Sequence, residues 1–405
     1  MSKFSSEPLE FIILVGRKLH SYGAAAHHIE AALIGLSNKY CEDGEFFVTP
    51  TALICSVKID GVWESRLQRV VPEGIHLGRL SRLDEVGDLV INGSMTMDEG
   101  IRQIKDIDQS PDHKFSLLLR ILFFVIASTG FGGFMVFEWH DLAAVSILAL
   151  GASTFLEIDN RFKKFTQIRE FILAAVVSFF AYTLFIIWPE IQVSRVILSS
   201  LIVLIPGLSI TIALSEIATN NWLAGTSRLM GAAAELLKMT FGVVIGSLAA
   251  KHLYHLPPEH ILASGEFLLP EPMILLFCSF AFSYMFANLL RDYIWVAAGA
   301  FLAYYSAKFG NIVFGQELGV FWGGAVLAAF SNGFARFMQR PALTVLIPGL
   351  IPMVPGSIGF RSLTSMYHQD VMGAMTATFN LVIVAVALVA GLTIGNMVVH
   401  PRRSI

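Results

Sequence analysis

From Leu9 the apolar positions Ile12, Ile13, Gly16, Leu19, Gly23, Ala26, Ile29, Leu33 and Leu36 recur at helical spacing and fall on one face. The stretch FFVTPTALICSVKIDGVWESRLQRVV reads as strands, with Asp60-Gly61 as a two-residue hairpin signal. Leu77, Leu80, Leu83, Val86 and Val90 mark a second helix, which Asn92-Gly93 breaks. Thr96-Met97-Asp98-Glu99 is a capping box opening a third, with Ile101, Ile104 and Ile107 inward. These signals predict a small soluble α+β domain over residues 1–115. Beyond it the pattern changes. Ten apolar segments follow, near 117–136, 142–156, 171–188, 195–214, 229–250, 272–290, 293–309, 318–335, 342–359 and 374–398. Several reach the length of about 20 residues that crosses the hydrocarbon core, whereas the second, seventh and eighth are shorter. The expectation is an α-helical polytopic membrane protein with about ten transmembrane helices in contact with the lipid bilayer. Its halves would be 116–250 and 272–405, joined by an extracytoplasmic linker at 251–271.

Composition sharpens this division. Of the 59 charged residues, 29 lie in residues 1–115, although the chain has 405 residues. The body is therefore poor in charge, while the net charge of −3 argues against nucleic acid as a partner. Cys41, Cys55 and Cys278 form no CxxC pair, so neither a disulfide framework nor a metal site is expected. No cofactor is implied, and the oligomeric state, a homo-oligomer included, stays open. Arg161, Lys163, Lys164, Arg169, Arg291, Arg336, Arg340, Arg402 and Arg403 share one side if residues 1–115 are cytoplasmic. The Lys/Arg bias then places both termini in the cytoplasm, and the cell (inner) membrane is the expected location of the chain as a polytopic membrane protein.

The body also repeats itself. LIPGL occurs at 204–208 and at 346–350, and Met-Gly-Ala follows at 230–232 and 372–374. Sliding one copy by 142 residues superposes both motifs, each in the fourth or fifth segment of its half. Two five-helix halves of odd count enter the membrane from opposite sides, which predicts an inverted repeat of the kind used for alternating access. Proline and glycine break a helix, and broken backbone at membrane depth is tolerated where it is buried in protein or lines a cavity. Pro206-Gly207, Pro348-Gly349 and Pro355-Gly356-Ser357 are therefore candidates for a substrate site at half-helix termini, and a plain proline kink is the alternative.

The turn Ser21-Tyr22-Gly23-Ala24, Pro206-Gly207, Gly225-Thr226-Ser227-Arg228-Leu229 and the run Pro348-Gly349-Leu350-Ile351-Pro352-Met353-Val354-Pro355-Gly356-Ser357 resemble the threonine/serine exporter family over nearly the whole chain. The resemblance implies proton-driven export of small amino acids, with succinate exporters of two separate halves as the neighbouring reading. Here the halves are fused.

Charges inside spans are functional candidates. Glu235 and Lys238 lie three apart in the fifth segment, either as a self-neutralising pair or as contacts for the ammonium and carboxylate of a small polar substrate. At the 142-residue slide Lys238 falls on Asn380. Glu216, Asn220 and Arg228 would line the entry or a solvated loop, with Arg361 at the opposite mouth. Glu157 and Asp159 would relay protons or cap a span. Asn288 and Asn332 would cross-link helices. His27-His28-x-Glu30 matches no metal signature and reads as helix surface. No nucleophile–base pair stands out, so an enzyme is not expected, and a membrane-anchored hydrolase using residues 1–115 remains the alternative of another class.

Overall fold

The computed structural model describes residues 7–71, 74–109, 117–134, 138–255, 270–367 and 370–401. Its amino-terminal region comprises α1 (Glu7–Ser21), α2 (Ala26–Tyr40), the strands β1 (Asp43–Thr49), β2 (Ala52–Ile59) and β3 (Val62–Arg69), then α3 (Leu77–Ile91) and α4 (Met97–Gln109). The strands form one antiparallel sheet in the order β1-β2-β3. The β2–β3 turn takes φ 50° at Asp60 and 77° at Gly61, the left-handed pair that a two-residue hairpin requires. Leu53, Cys55 and Val57 alternate inward from β2 and pack with Phe11, Ile12, Ile29, Leu33, Leu83 and Ile104. The capping box is formed: Glu99 N–H donates to Thr96 Oγ1 at 3.3 Å, and Thr96 N–H donates to Glu99 Oε2 at 3.1 Å.

The body is helical: α5 (Leu117–Gly132), α6 (Trp139–Phe162), α7 (Arg169–Ile187), α8 (Val193–Leu201), α9 (Gly207–Ala218), α10 (Trp222–Tyr254), α11 (Glu271–Met285), α12 (Tyr293–Phe314), α13 (Gln316–Met338), α14 (Leu343–Leu350), α15 (Gly356–Tyr367) and α16 (Val371–Val398). Among the described residues α6, α7, α10, α13 and α16 are long and apolar enough to cross a membrane. The pair α8–α9, bent by 55° at Pro206, qualifies as one broken span, and α5, α11 and α14 with its following turn are shorter apolar helices. Helix α6 outruns its apolar window because its polar end is partnered. Glu157 accepts from Arg120 of α5 at 2.9 and 2.7 Å. Two amides tie helices together: Asn332 Nδ2 donates to Asn396 Oδ1 and to Val399 O, both at 2.7 Å. Asn288 Nδ2 donates to Thr344 O at 3.1 Å.

The internal recurrence has a different register from the one the LIPGL twins suggest. Helix α9 opens at Gly207 after a 3-10 turn at Ile202–Leu204, and α15 opens at Gly356 after a 3-10 turn at Ile351–Met353. Both helices have 12 residues, and α10 and α16 follow at Trp222 and Val371. Each of these pairs is 149 residues apart, so Leu204-Ile205-Pro206-Gly207 corresponds to Met353-Val354-Pro355-Gly356. Pro348 instead lies inside α14. A proline there leaves the carbonyl four residues back without its N–H partner. That carbonyl is Thr344 O, the one that Asn288 fills, so the helix continues through Pro348. Two further pairs share this register. Gly242 and Gly246 let α10 press on the α7 backbone at Phe171 and Ala175, while Gly391 and Gly395 let α16 press on the α13 backbone at Phe321 and Ala325.

Candidate functional site

The two breaks meet at the centre of the body. A Cβ on Gly207 would lie 2.9 Å from the Gly356 Cα and against Val354, and one on Gly356 would lie 2.9 Å from the Gly207 Cα. Beside this crossing is a cavity of about 690 Å³. Its walls are the break from Ile202 to Ser209, the second break at Ile351, Val354, Gly356 and Ser357, the end of α11, and Arg169, Glu170, Arg228 and Glu235. The amino-terminal region supplies His20, Gly23, Ala24, Gly74 and Ile75. The first N–H groups of a helix have no partner within it and carry the positive end of its dipole. Leu208, Ser209, Gly356 and Ser357 bring two such termini to one cavity, while the Gly207 N–H already donates to Ile205 O at 2.8 Å.

The charges around the cavity are arranged unequally. Arg169 Nη1 donates to Asn160 Oδ1 at 3.3 Å, and its Nη2 donates to Glu170 Oε1 at 3.5 Å. Lys238 Nζ reaches Glu170 Oε2 at 3.4 Å and the Gln167 carbonyl at 3.3 Å. Arg228 is held by Glu216 through Nε and Nη2, both at 3.0 Å. Among the described residues no hydrogen bond reaches the Glu235 carboxylate, although Glu170, Lys238 and Arg169 all lie within its electrostatic reach. The cavity wall thus holds two helix N-termini and a carboxylate that accepts no hydrogen bond from the described residues. That arrangement suits a small solute carrying an ammonium and a carboxylate.

Glu216 is fully buried and also accepts from Ala26 N–H, the first residue of α2, at 3.1 Å. The α2 face that reads as solvated surface is therefore a junction with α9 and α10, and His27, His28 and Glu30 are half-buried there. The imidazoles of His27 and His28 lie 4.1 Å apart. Burial, then Arg228, pushes His27 down to about 4. Burial, then His27, pushes His28 down to about 3 against the opposing pull of Glu216. Burial also lowers His20 and raises Glu30. The unfolded chain takes up protons on these histidines below about pH 6.5, where the folded chain resists them. The stability they contribute is whole above that pH and is lost as pH falls toward 4, with Glu30 working in the opposite sense. Thermal unfolding followed from pH 7 to pH 4 is expected to show a falling Tm, and His28→Phe should flatten the slope.

The candidates from sequence separate into two groups. Pro206, Gly207, Gly356, Ser357, Glu235 and Arg228 line the cavity, and Glu216 stands behind Arg228. Pro355 is buried just before Gly356, whereas Gly349 packs on Leu327 of α13 and Pro348 lies within α14. Lys238 does not pair with Glu235, because its long side chain extends to the start of α7, and its side chain is 40% exposed rather than sealed from water. Asn380 is exposed on α16 and is not the counterpart of Lys238 in the 149-residue register. Asn220 takes φ 65° in the exposed α9–α10 turn. Glu157 and Asp159 engage separate groups: Asp159 Oδ1 accepts from Phe165 N–H at 2.7 Å and closes the turn after α6. The side chain of Arg361 and most of the 251–271 linker lie outside the described residues. Arg169, Glu170, Ser209 and His20 were not candidates. Of these, only Arg169 enters the sequence reading, as a loop charge in the Lys/Arg bias.

A family profile described as "Putative threonine/serine exporter" matches residues 10–249, and a second, "Threonine/Serine exporter, ThrE", matches residues 272–398. "Pheromone-regulated membrane protein 10" of Saccharomyces cerevisiae is 24% identical over 96% of this chain and 54% of its own length. The protein of that name in Zygosaccharomyces rouxii is 23% identical over 96% of this chain and 43% of its own. An uncharacterized Schizosaccharomyces pombe protein is 23% identical over 98% and 56% respectively. The chain spans about half the length of these curated relatives. No solved structure matches it significantly.

Proposed function

Because this chain belongs to the threonine/serine exporter family, we propose that it is a secondary active exporter of small amino acids, threonine and serine first, driven by proton antiport through alternating access. The observation that carries the reading is the cavity at the crossing of two broken helices, lined by Glu235 and by the helix starts at Gly207 and Gly356. Glu235 receives the ammonium, and the N-terminal N–H groups of α9 and α15 receive the carboxylate. A dicarboxylate would bring a second negative charge toward Glu235 with no ammonium to offset it. The two halves form an inverted repeat of about ten spans in the inner membrane, and the 149-residue recurrence of break, half-helix and long helix supports that reading. Both termini face the cytoplasm. The pairing of Arg291 with Glu85 supports this, since it joins the amino-terminal region to a turn on the Lys/Arg-rich side.

The test is reconstitution in liposomes under an imposed pH gradient, with labelled threonine, serine and succinate followed in parallel. Gradient-dependent threonine or serine flux that an uncoupler abolishes is expected. Succinate flux alone would overturn the substrate, and uncoupler-insensitive flux would overturn the coupling.

A further inference from the structure

The amino-terminal region touches both halves of the body. At one end Glu216 of α9 accepts from Ala26 N–H of α2. The Asn221 amide, oriented with its nitrogen toward Glu30, donates to both carboxylate oxygens at 3.1 and 3.2 Å. At the other end the first N–H groups of α3 meet the turn after α11: Leu77 donates to Phe286 O at 2.9 Å and Gly78 donates to Ala287 O at 3.0 Å. A Cβ at Gly78 would lie 2.6 Å from Ala287 O, so the backbones meet directly. Ile347 of α14 is part of the same apolar core as α3. Between the two contacts, His20, Gly23 and Ala24 face the cavity.

From this placement we propose that the amino-terminal region is the inner gate of the cavity, hinged on the second half at α3 and released from the first half at the α2–Glu216 contact. The two ends differ in kind. The α3 end is made of backbone hydrogen bonds and apolar packing, and its ion pair Glu85–Arg291 is exposed and stands off the cavity wall. The α2 end holds, besides the Glu30–Asn221 contact and Ala224 in the shared core, one buried carboxylate shared between the α2 N–H and an arginine that itself lines the cavity. Any relative motion of the halves must break one end, because a rigid body cannot stay bonded to both. A change at Arg228 reaches Glu216 directly, so the α2 end is where events in the cavity are felt.

This gate takes the cavity as the solute route, and its test reads access rather than flux. Ser209→Cys, on the cavity wall, is introduced with Cys41, Cys55 and Cys278 replaced by alanine, and its reaction with a membrane-impermeant thiol reagent is timed in the full chain. Glu216→Gln is expected to speed labelling about tenfold, the factor that loss of one charge-assisted contact represents. Joining Glu30→Cys to Asn221→Cys with a cleavable bifunctional thiol reagent should slow labelling by a similar factor, and cleavage should restore it. This arm remains informative should Glu216→Gln fail to fold. Labelling that ignores both manipulations overturns the gate. Equal slowing by a Glu85→Cys/Arg291→Cys link would overturn release at α2. Absence of solute flux with both labelling effects present would overturn the exporter reading and leave the gate standing.

Discussion

Gly207→Ala and Gly356→Ala are each expected to destabilise the protein by at least about 2 kcal/mol, since an added methyl in a full site forces backbone or side chains apart. An alanine in place of a helical glycine ordinarily gains up to about 1 kcal/mol, so the sign here is decided by the neighbours. At Gly207 the new carbon would press on Val354 and on the Gly356 Cα, and at Gly356 it would press on Ile205 Cγ2 at 2.8 Å and on the Gly207 Cα. Backbone atoms cannot rotate away, and each break blocks the retreat of the other. Gly349→Ala is the informative comparison. Its nearest neighbour is Leu327 Cδ1 at 2.8 Å, the flexible end of a side chain, with the Ala300 backbone nitrogen at an ordinary 3.7 Å. Gly349 is the partner of Gly207 in the 142-residue register and Gly356 is its partner in the 149-residue one. Thermal unfolding of the purified variants should show large losses at 207 and 356, a small one at 349, and none at Gly231, which has no neighbour within 4 Å. Equal losses at 349 and 356 would contradict the crossing.

The amino-terminal elements were legible because their signals are local. Asp60-Gly61 and Thr96-x-x-Glu99 carry their own turn and cap within four residues, and periodicity placed α3 and α4, while the single helix expected over 9–36 is divided into α1 and α2 at Gly23, which takes φ 89°. The apolar body was legible as helices for the same reason. Register was not, because the five-residue identity at 204–208 and 346–350 is more conspicuous than the correspondence of Leu204-Ile205-Pro206-Gly207 with Met353-Val354-Pro355-Gly356. What makes Pro348 harmless is Asn288, an amide 60 residues away that no pattern connects to it. The glycines at 242, 246, 391 and 395 held the correct offset in the sequence, since both pairs have helix-crossing spacing. The site was half visible. Burial cost singles out Glu235 together with Lys238, which the structure turns toward Glu170, whereas Arg228 and Glu216 read as entry or loop, and the bond from Ala26 to Glu216 across 190 residues is a tertiary fact. The same holds for His27 and His28, whose helical face looks solvated until α9 and α10 cover it.

Glu235→Gln is expected to reduce threonine and serine flux about a hundredfold, close to the factor set by about 3 kcal/mol for a hydrogen bond to a charged group. The substitution keeps shape and removes only the charge, and among the described residues no hydrogen bond to Glu235 is lost with it, so protein abundance should hold. Lys238→Met gives the contrast. Lys238 lies three residues away on the same helix, yet it bonds Glu170 and the Gln167 carbonyl, and its side chain is 40% exposed. An ion pair so placed contributes at most about 1 kcal/mol, which limits the expected loss of flux to about fivefold. Initial rates in liposomes at matched protein density measure both. The ordering is the decisive result. A collapse of flux in Lys238→Met with Glu235→Gln near normal would move the carboxylate-binding role to the α7–α10 contact, and the helix N-termini at Gly207 and Gly356 would then hold the fold together without touching the solute.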